Sequence, residues 1–284
     1  MSHLRYGAQV HANGIRQHYL RYGPADGTDP ALDPLIIVPG ITSPAVTWGF
    51  VAEQLANRFD TYVLDVRGRG LSESGIHLDY GLEAQANDLL AFAEALGLQR
   101  YSVLGHSMGA RIAIRAAQSR PAALMRMVWV DPPMSGPGRR RYPAQLPWYI
   151  DSIRQASRGM SAEEMRAFCP TWTDAQRALR AQRLHTCDER AILASFNGFH
   201  DDAVIEQVAA VSCPTLLITA DRGDVVKDED LALMQSLLPG LAHRRVQDAG
   251  HMIPWDNEAG FYGALGDFLG ASVIDEEGAT HGCQ

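Results

Sequence analysis

The sequence predicts an α/β protein with a mostly parallel central sheet, helices on both faces and an inserted helical cap. Short, continuously apolar runs alternate with longer amphipathic patterns, which is typical of buried parallel strands covered by helices. This alternation is interrupted once, between residues 132 and 212. With 284 residues, of which 46% are hydrophobic, the chain is long enough for one such domain with an insertion.

The first two elements are predicted to form a β-hairpin. Two strand-like runs flank Asn13 and Gly14 in AQVHANGIRQHYLRYG, and this dipeptide readily adopts the positive φ angles of a type I′ turn. Helices are predicted over 46–58, over 82–97 and from residue 108. Buried strands are predicted in PLIIVPG, FDTYVLDV, YSVLG, MRMVWVD, PTLLITA and HRRVQDAG.

Residues 132–212 are predicted to form the cap. A turn-rich bridge, PPMSGPGRRRYP, is followed by about four helical patterns, one of which begins with the capping-box pair Ser161 and Glu164. We therefore expect a core made of residues 1–131 and 213–270. Residues 271–284 have little hydrophobic periodicity and are predicted to be a loose tail.

Composition excludes several classes of partner. The formal net charge of -8 argues against a nucleic-acid partner, and no run of like charges indicates a nucleic-acid arm. No apolar run is long enough to span a bilayer, and the first residues contain no apolar core of signal-peptide length. We therefore expect a cytoplasmic protein with no membrane partner. The sequence does not predict the oligomeric state.

The stretch YSVLGHSMGAR contains the pattern G-x-S-x-G around Ser107. A strand is predicted immediately before this pattern and a helix immediately after it, which is the context of a nucleophilic serine. Because a serine hydroxyl is a poor nucleophile at neutral pH, it needs a base, an orienting acid and donors for an oxyanion. Candidates for all three can be found in the sequence.

The base and the acid are expected on loops that follow strands. His251, in DAGHMIPW, comes just after the last predicted strand and can reach the carboxyl edge of the sheet. Asp131 ends one strand, and Asp221 and Asp224 follow the next one. Position along the chain leaves the choice between these three acids open.

The oxyanion donors are expected to be two backbone N–H groups. Gly40 follows a buried strand and allows the turn to expose the N–H of Ile41. The second donor is the N–H of Met108, at the positive end of the helix that follows the serine.

The conjunction of GHSMG, DVRGRGLS and AGH, in the family's order, resembles the α/β-hydrolase superfamily over nearly the whole chain. This resemblance implies the α/β-hydrolase fold. A narrower resemblance, to the N-formylmaleamate deformylases of bacterial nicotinate degradation, is carried by several longer stretches. These are VHANGIRQHYLRYG, VPGITSPAVTWGFVAEQL, VDPPMSGPGRRRYP, CPTWT, LHTCDERAILASFNGFHDD and GHMIPW.

The narrower family has a Ser-Asp-His triad whose acid follows the sixth strand. Carried onto this sequence, the resemblance implies Ser107, Asp131 and His251. Two departures from the common superfamily pattern are present: Gly223 stands where an acid after the seventh strand is expected, and Pro39 replaces a usual histidine. The first departure fits an acid after the sixth strand.

The resemblance implies a serine-type amidohydrolase that converts N-formylmaleamate to maleamate and formate. The expected partners are a small anionic amide and water, and no metal or organic cofactor is required. The alternatives are another hydrolase of this fold, acting on a small acidic amide, an ester or a carbon-carbon bond, and a binding protein that retains the triad.

An anionic substrate needs a cationic partner, and arginine offers a two-point contact to a carboxylate. The bridge that enters the cap contains Arg139 and its neighbours Arg140 and Arg141. Arg111 lies one turn beyond Ser107. We expect one of these arginines to contact the substrate carboxylate. The alternative is that Arg111 pairs within the scaffold and that the bridge faces solvent.

Overall fold

The described part of the chain, residues 2–24, 32–119 and 121–270 of a computed structural model, contains one eight-stranded sheet. The strands are β1 (Leu4–Ala12), β2 (Ile15–Tyr22), β3 (Pro34–Val38), β4 (Asp60–Leu64), β5 (Tyr101–His106), β6 (Leu124–Val130), β7 (Thr215–Ala220) and β8 (Ala242–Val246). Their order in the sheet is β1-β2-β4-β3-β5-β6-β7-β8. The pairs β1/β2 and β2/β4 are antiparallel, whereas all other neighbours are parallel. The predicted mostly parallel sheet is confirmed.

The predicted hairpin forms β1 and β2. Ala12 pairs with Ile15, so that Asn13 and Gly14 are the two turn residues. Their φ angles of 50° and 73° are both positive, as a type I′ turn requires. The tail predicted for residues 271–284 lies outside the described residues.

Helices cover the parallel part of the sheet. Every residue of β5 and of β7 is buried, so both faces of the sheet are covered there. In residues 2–24, 32–119 and 121–270, no helix is both long and apolar enough to cross a bilayer. The helices are α1 (Gly49–Leu55), α2 (Leu82–Ala95), α3 (Met108–Ala116), α4 (Leu146–Ser157), α5 (Ala162–Met165), α6 (Asp174–Arg183), α7 (Glu189–Asp201), α8 (Asp228–Leu237), α9 (Ile253–Asp256) and α10 (Glu258–Leu265).

Four of these helices, α4 to α7, lie in sequence between β6 and β7. The two strands are parallel neighbours, so this long excursion leaves and returns next to the same point of the sheet. The predicted capping box is present: the hydroxyl of Ser161 accepts from the backbone N–H of Glu164, whose carboxylate accepts from the backbone N–H of Ser161. The four helices are thus inserted at the carboxyl end of β6, where Asp131 lies.

Candidate active site

Three loops at the carboxyl edge of the sheet bring Ser107, Asp131 and His251 together. Ser107 follows β5, Asp131 follows β6, and His251 comes after β8. The Nε2 atom of His251 lies 2.9 Å from the Oγ of Ser107, and its Nδ1 atom lies 2.7 Å from the Oδ2 of Asp131. Because an ionised carboxylate can only accept, Nδ1 carries the proton and Nε2 is left to accept from the serine hydroxyl.

The other two candidate acids lie elsewhere. Asp221 accepts from the backbone N–H of Ala249 at 3.2 Å, and the exposed Asp224 is 3.3 Å from the ammonium group of Lys227. Gly223 lies beside Asp131, because a Cβ atom on this glycine would be 3.6 Å from the Oδ2 of Asp131. Of the three acids considered, the structure brings Asp131 to His251.

The turn at Ser107 is strained, and its flanking glycines explain why the strain can be accommodated. Ser107 has φ 54° and ψ −117°, a combination that costs a residue with a side chain about 1–3 kcal/mol. A Cβ on Gly105 would lie 2.5 Å from the carbonyl oxygen of Gly109, and one on Gly109 would lie 1.9 Å from that of Val38. Only glycines at both positions let α3 approach β5 and β3 so closely.

The turn after β3 lies beside this elbow. A Cβ on Gly40 would be 3.5 Å from the Cβ of Ser107, so the peptide that follows Gly40 is next to the serine. The backbone N–H groups of Ile41 and Met108 take part in none of the hydrogen bonds among the described residues. The Nε of Arg69 donates to the carbonyl oxygen of Ile41 at 3.1 Å, which holds the turn in place. Both N–H groups are therefore available to an external oxyanion.

A cavity of about 530 Å³ opens onto His251. Its walls come from the turn after β3, the bridge before α4, helices α4 and α6 with the segment before α6, and the loops after β7 and β8. The cavity has a mainly apolar wall with a few polar groups, as a site for a small organic molecule requires. The aromatic side chains in this wall are Tyr142, Trp148, Tyr149, Phe168 and Trp172.

Comparison with known proteins identifies the fold. Residues 33–258 match a family model described as alpha/beta hydrolase fold. The chain belongs to this α/β-hydrolase family. Its strand-turn-helix at Ser107 and the histidine after the last strand thus occur within a family of hydrolases.

Three known proteins are similar to this α/β-hydrolase over nearly all of the chain. The N-formylmaleamate deformylase of Pseudomonas putida is 60% identical over 274 residues, covering 96% of this chain and 100% of the relative. A crystal structure of the N-formylmaleamic acid deformylase from Pseudomonas putida has a TM-score of 0.86 and 53% identity, over 92% of this chain and 100% of that one. An E-2-(acetamidomethylene)succinate hydrolase, with TM-score 0.73 and 20% identity over 93% and 98% of the two chains, shares the fold.

The α/β-hydrolase cavity contains a tyrosine pair that the sequence did not reveal. The hydroxyl of Tyr142 lies 3.1 Å from that of Tyr149, and both side chains are buried. Burial raises the pKa of Tyr142 well above its ordinary value, with Tyr149 and Asp131 adding to this effect and Ser107 opposing it. Tyr142 is therefore a neutral phenol beside Ser107. It stands alone in the turn-rich bridge, where neither periodicity nor a motif marks it.

The structure does not bring Arg111 or Arg139 to the cavity. The guanidinium of Arg111 donates to four backbone carbonyl oxygens, those of Pro133, Ser135, Gly198 and Asp202, and burial lowers its pKa to about 10. Arg139 donates to the carbonyl oxygen of Met134 and pairs with Asp230 at 2.7 Å. Both side chains support the scaffold, as the alternative interpretation of Arg111 expected, and the neighbouring Arg140 also pairs with Asp230.

Two other arginines line the cavity instead, Arg180 and Arg222. Arg222 is exposed at the rim and donates to the carbonyl oxygen of Asp248, whereas Arg180 is buried. Arg180 lies in α6, whose sequence DAQRALRAQR is strongly polar. Its position one helical turn before the apolar Leu184 is the one sequence signal for an inward orientation.

Proposed function

We propose that this α/β-hydrolase is an N-formylmaleamate deformylase, which hydrolyses the formyl C–N bond and releases maleamate and formate. The observation that carries this proposal is the 60% identity to the Pseudomonas putida enzyme over 96% of this chain and the full length of that enzyme. The hydrogen-bonded serine, histidine and aspartate beside a cavity for a small molecule are consistent with this chemistry.

The reaction begins with attack by Ser107 on the formyl carbon. As the Oγ–C bond forms, the Nε2 of His251 takes the hydroxyl proton, and Asp131 keeps the imidazole in the tautomer and orientation that this step needs. The carbonyl electron pair moves onto oxygen, and the N–H groups of Ile41 and Met108 stabilise the resulting oxyanion.

Collapse of the tetrahedral intermediate then breaks the C–N bond. The leaving nitrogen is conjugated to a second carbonyl, so that it departs more readily than a simple amine, and His251 returns its proton to that nitrogen. Maleamate leaves, and Ser107 keeps the formyl group as an ester. A water molecule, deprotonated by His251, attacks this ester and releases formate and the free serine.

Tyr142 supplies a neutral donor next to the reacting atoms. Its hydroxyl is held by Tyr149, and its pKa is affected by both Ser107 and Asp131. Because the phenol stays protonated at neutral pH, it can donate to the substrate's amide group without adding a negative charge beside Asp131. We assign Tyr142 to substrate orientation in the first step.

The test is formate release from N-formylmaleamate by the purified protein, followed with a formate-specific assay. A Ser107→Ala preparation controls for contaminating hydrolases. A panel containing a small neutral ester, a simple formamide and a carbon-carbon hydrolase substrate separates the proposed reaction from other hydrolytic activities of this fold. A larger kcat/KM for any other substrate of the panel than for N-formylmaleamate would contradict the proposal.

A further inference from the structure

The cavity contains a buried cation without an acidic partner among the described residues. Arg180 is 4% exposed, and its guanidinium donates to the backbone and side chain of Thr42. The thiol of Cys169 lies beside it, but burial raises the pKa of that thiol, so that it supplies no counter-charge at neutral pH. A guanidinium removed from water without a counter-charge is unfavourable, and the cost falls when an anion binds beside it. The position of Arg180 in the cavity wall makes it accessible to such an anion.

The guanidinium of Arg180 is held in a fixed plane. One terminal nitrogen donates to the carbonyl oxygen of Thr42 at 3.1 Å, the other donates to its Oγ1 at 2.9 Å, and the group lies 5.6 Å from the ring centre of Trp172. The Nε atom is buried and has no hydrogen-bond partner among the described residues. Since a guanidinium offers more N–H groups than Thr42 uses, a side of the fork remains for a ligand.

Residues on two sides of the cavity lie between Arg180 and Ser107. Thr42 directly follows Ile41, the first of the two oxyanion donors proposed above. On the other side, Arg180 lowers the pKa of Tyr149, which burial otherwise raises, and Tyr149 is bonded to Tyr142 beside Ser107. Because His251, which is hydrogen-bonded to Ser107, and Arg180 both line the cavity, one bound molecule can lie between them.

The acidic groups of the cavity are committed elsewhere. The two carboxylate oxygens of Asp256 accept from the hydroxyl of Thr171 at 2.7 Å and from the backbone N–H of Gly250 at 2.9 Å. Asp224 lies at the exposed rim with Lys227. Neither of these acids is paired with Arg180, so the guanidinium remains available to an anionic ligand.

We propose that Arg180 binds the carboxylate of the substrate. The two carboxylate oxygens accept from the Nε–H and from a free terminal N–H of the guanidinium, and Thr42 holds the plane of the guanidinium. The assignment rests on the proposed function for the identity of that substrate. In N-formylmaleamate the carboxylate is separated from the formyl carbon by a short cis-unsaturated spacer, so both ends fit one cavity. Arg180 would thus select acids over their neutral analogues.

The first measurement compares kcat/KM for N-formylmaleamate and for its neutral methyl ester in the wild type and in Arg180→Gln. Loss of a charge-assisted hydrogen-bonded contact should reduce kcat/KM for the acid by about 10- to 100-fold. The ester should lose less than about threefold, because it makes no such contact. Arg180→Lys should recover part of the loss, since it restores the charge but not the fork.

Two arginines of the same helix serve as controls. Arg177 is buried and donates to Trp172 and Asp174, and Arg183 is exposed. Arg177→Gln tests the loss of a buried arginine from α6, and Arg183→Gln tests the loss of a positive charge. Neither should change the ratio of acid to ester activity by more than about twofold. A ratio that falls equally in either control would overturn the assignment to Arg180.

A second measurement is independent of deformylase activity. Hydrolysis of p-nitrophenyl acetate, a neutral ester, reports on Ser107, and inhibition of it by maleamate and by the neutral maleamide reports on the anion contact. Maleamate should inhibit the wild type better than maleamide, and Arg180→Gln should remove this difference. If Arg180→Gln slows acid and ester substrates equally, or leaves the inhibition by maleamate unchanged, the residue only supports Thr42 and the proposal is overturned.

These experiments separate the two proposals. Absence of formate release by the wild type, together with maleamate inhibition that depends on Arg180, would reject the deformylase function and keep the carboxylate site. Formate release with an unchanged acid preference in Arg180→Gln would keep the function and reject the site.

Discussion

The imidazole of His106 donates through Nε2 to the backbone carbonyl oxygen of His251, at 3.0 Å. Since a carbonyl can only accept, Nε2 of His106 must carry the proton. Burial, together with the neighbouring His251, lowers the pKa of His106 to about 3. His106, which precedes Ser107, therefore stays neutral and fixes the backbone of His251, the proposed base.

This contact predicts how stability depends on pH. In the unfolded chain His106 takes up a proton below its ordinary pKa of 6.5, whereas in the folded chain it does so only near 3. The contribution of neutral His106 to the free energy of unfolding is therefore complete above pH 6.5, and it decreases as the pH falls toward 3. We expect the stability difference between wild type and His106→Gln to shrink by about 2 kcal/mol from pH 8 to pH 5.

Urea unfolding of both proteins at the two pH values measures this change. Because all other groups are shared, their titration cancels in the difference. A difference that stays constant with pH would show that His106 is not held neutral by its surroundings.

Replacing Ser107 by Ala should remove most turnover and leave the fold intact. The remaining oxyanion donors cannot replace a nucleophile, and losses of about 10⁶-fold are known for such changes in serine proteases. Serine and alanine both have a Cβ atom, so the positive φ angle of the turn costs alanine no more than it costs serine, and the melting temperature should stay close to that of the wild type. Single-turnover formate release is the measurement, and near-normal rates in this variant would exclude Ser107 as the nucleophile.

Asp131→Asn should reduce kcat by about 10⁴-fold, by analogy with the serine proteases. The amide can donate to Nδ1 of His251, which favours the wrong tautomer of the base. Asp221→Asn and Asp224→Asn are the matched controls, since each changes an acid on a neighbouring loop that does not contact His251. A large loss in either control, with a small loss in Asp131→Asn, would move the acid to the loop after β7.

Tyr142→Phe should lower kcat about 10- to 100-fold, because the ring is kept and only the donor beside Ser107 is lost. Tyr149→Phe is the control: it removes the partner hydroxyl at 3.1 Å but leaves that of Tyr142 in place. Its effect on kcat should be smaller. Unchanged kcat in Tyr142→Phe, with only a lower melting temperature, would limit Tyr142 to packing.

Gly109→Ala should destabilise the protein by about 3 kcal/mol. The Cβ of the alanine would lie 1.9 Å from the carbonyl oxygen of Val38, so α3 or β3 must move. Gly263 in α10 is exposed, and no atom lies within 4 Å of the place that a Cβ would take. Gly263→Ala should therefore stabilise the protein by about 0.5–1 kcal/mol. Chemical denaturation measures both. Equal stability of the two variants would contradict the close approach of α3 to β3.

The sheet could be predicted from the sequence because its strands are continuous apolar runs that local pattern alone identifies. The run YSVLG falls within β5 and MRMVWV within β6, and the hairpin is marked by its turn residues. Helix ends were less well predicted. The helix expected over 46–58 begins only at Gly49, because a 3₁₀ turn at Ala45–Trp48, in which Thr47 donates to the carbonyl of Pro44, precedes it; the helix ends at Leu55.

The cavity side chains could not be predicted in the same way. Arg180 reaches Thr42 across 138 positions of the sequence, and Tyr142 meets His251 from the bridge, with ring centres 6.4 Å apart. Such contacts depend on how α4 to α7 pack over the sheet, which no local pattern encodes. The arginines chosen from sequence position, Arg111 and Arg139, lie near the site along the chain but their donors are used by the scaffold.

The order of the strands has a consequence for synthesis of the protein. Ser107 and Asp131 are translated long before His251, which is 144 positions after the serine and 120 after the aspartate. Until β7 has paired with β6 and β8 with β7, the nascent chain holds Ser107 without its proposed base. Hydrolytic activity therefore reports that β7 and β8 have joined the sheet, and in refolding it should return only after they have done so.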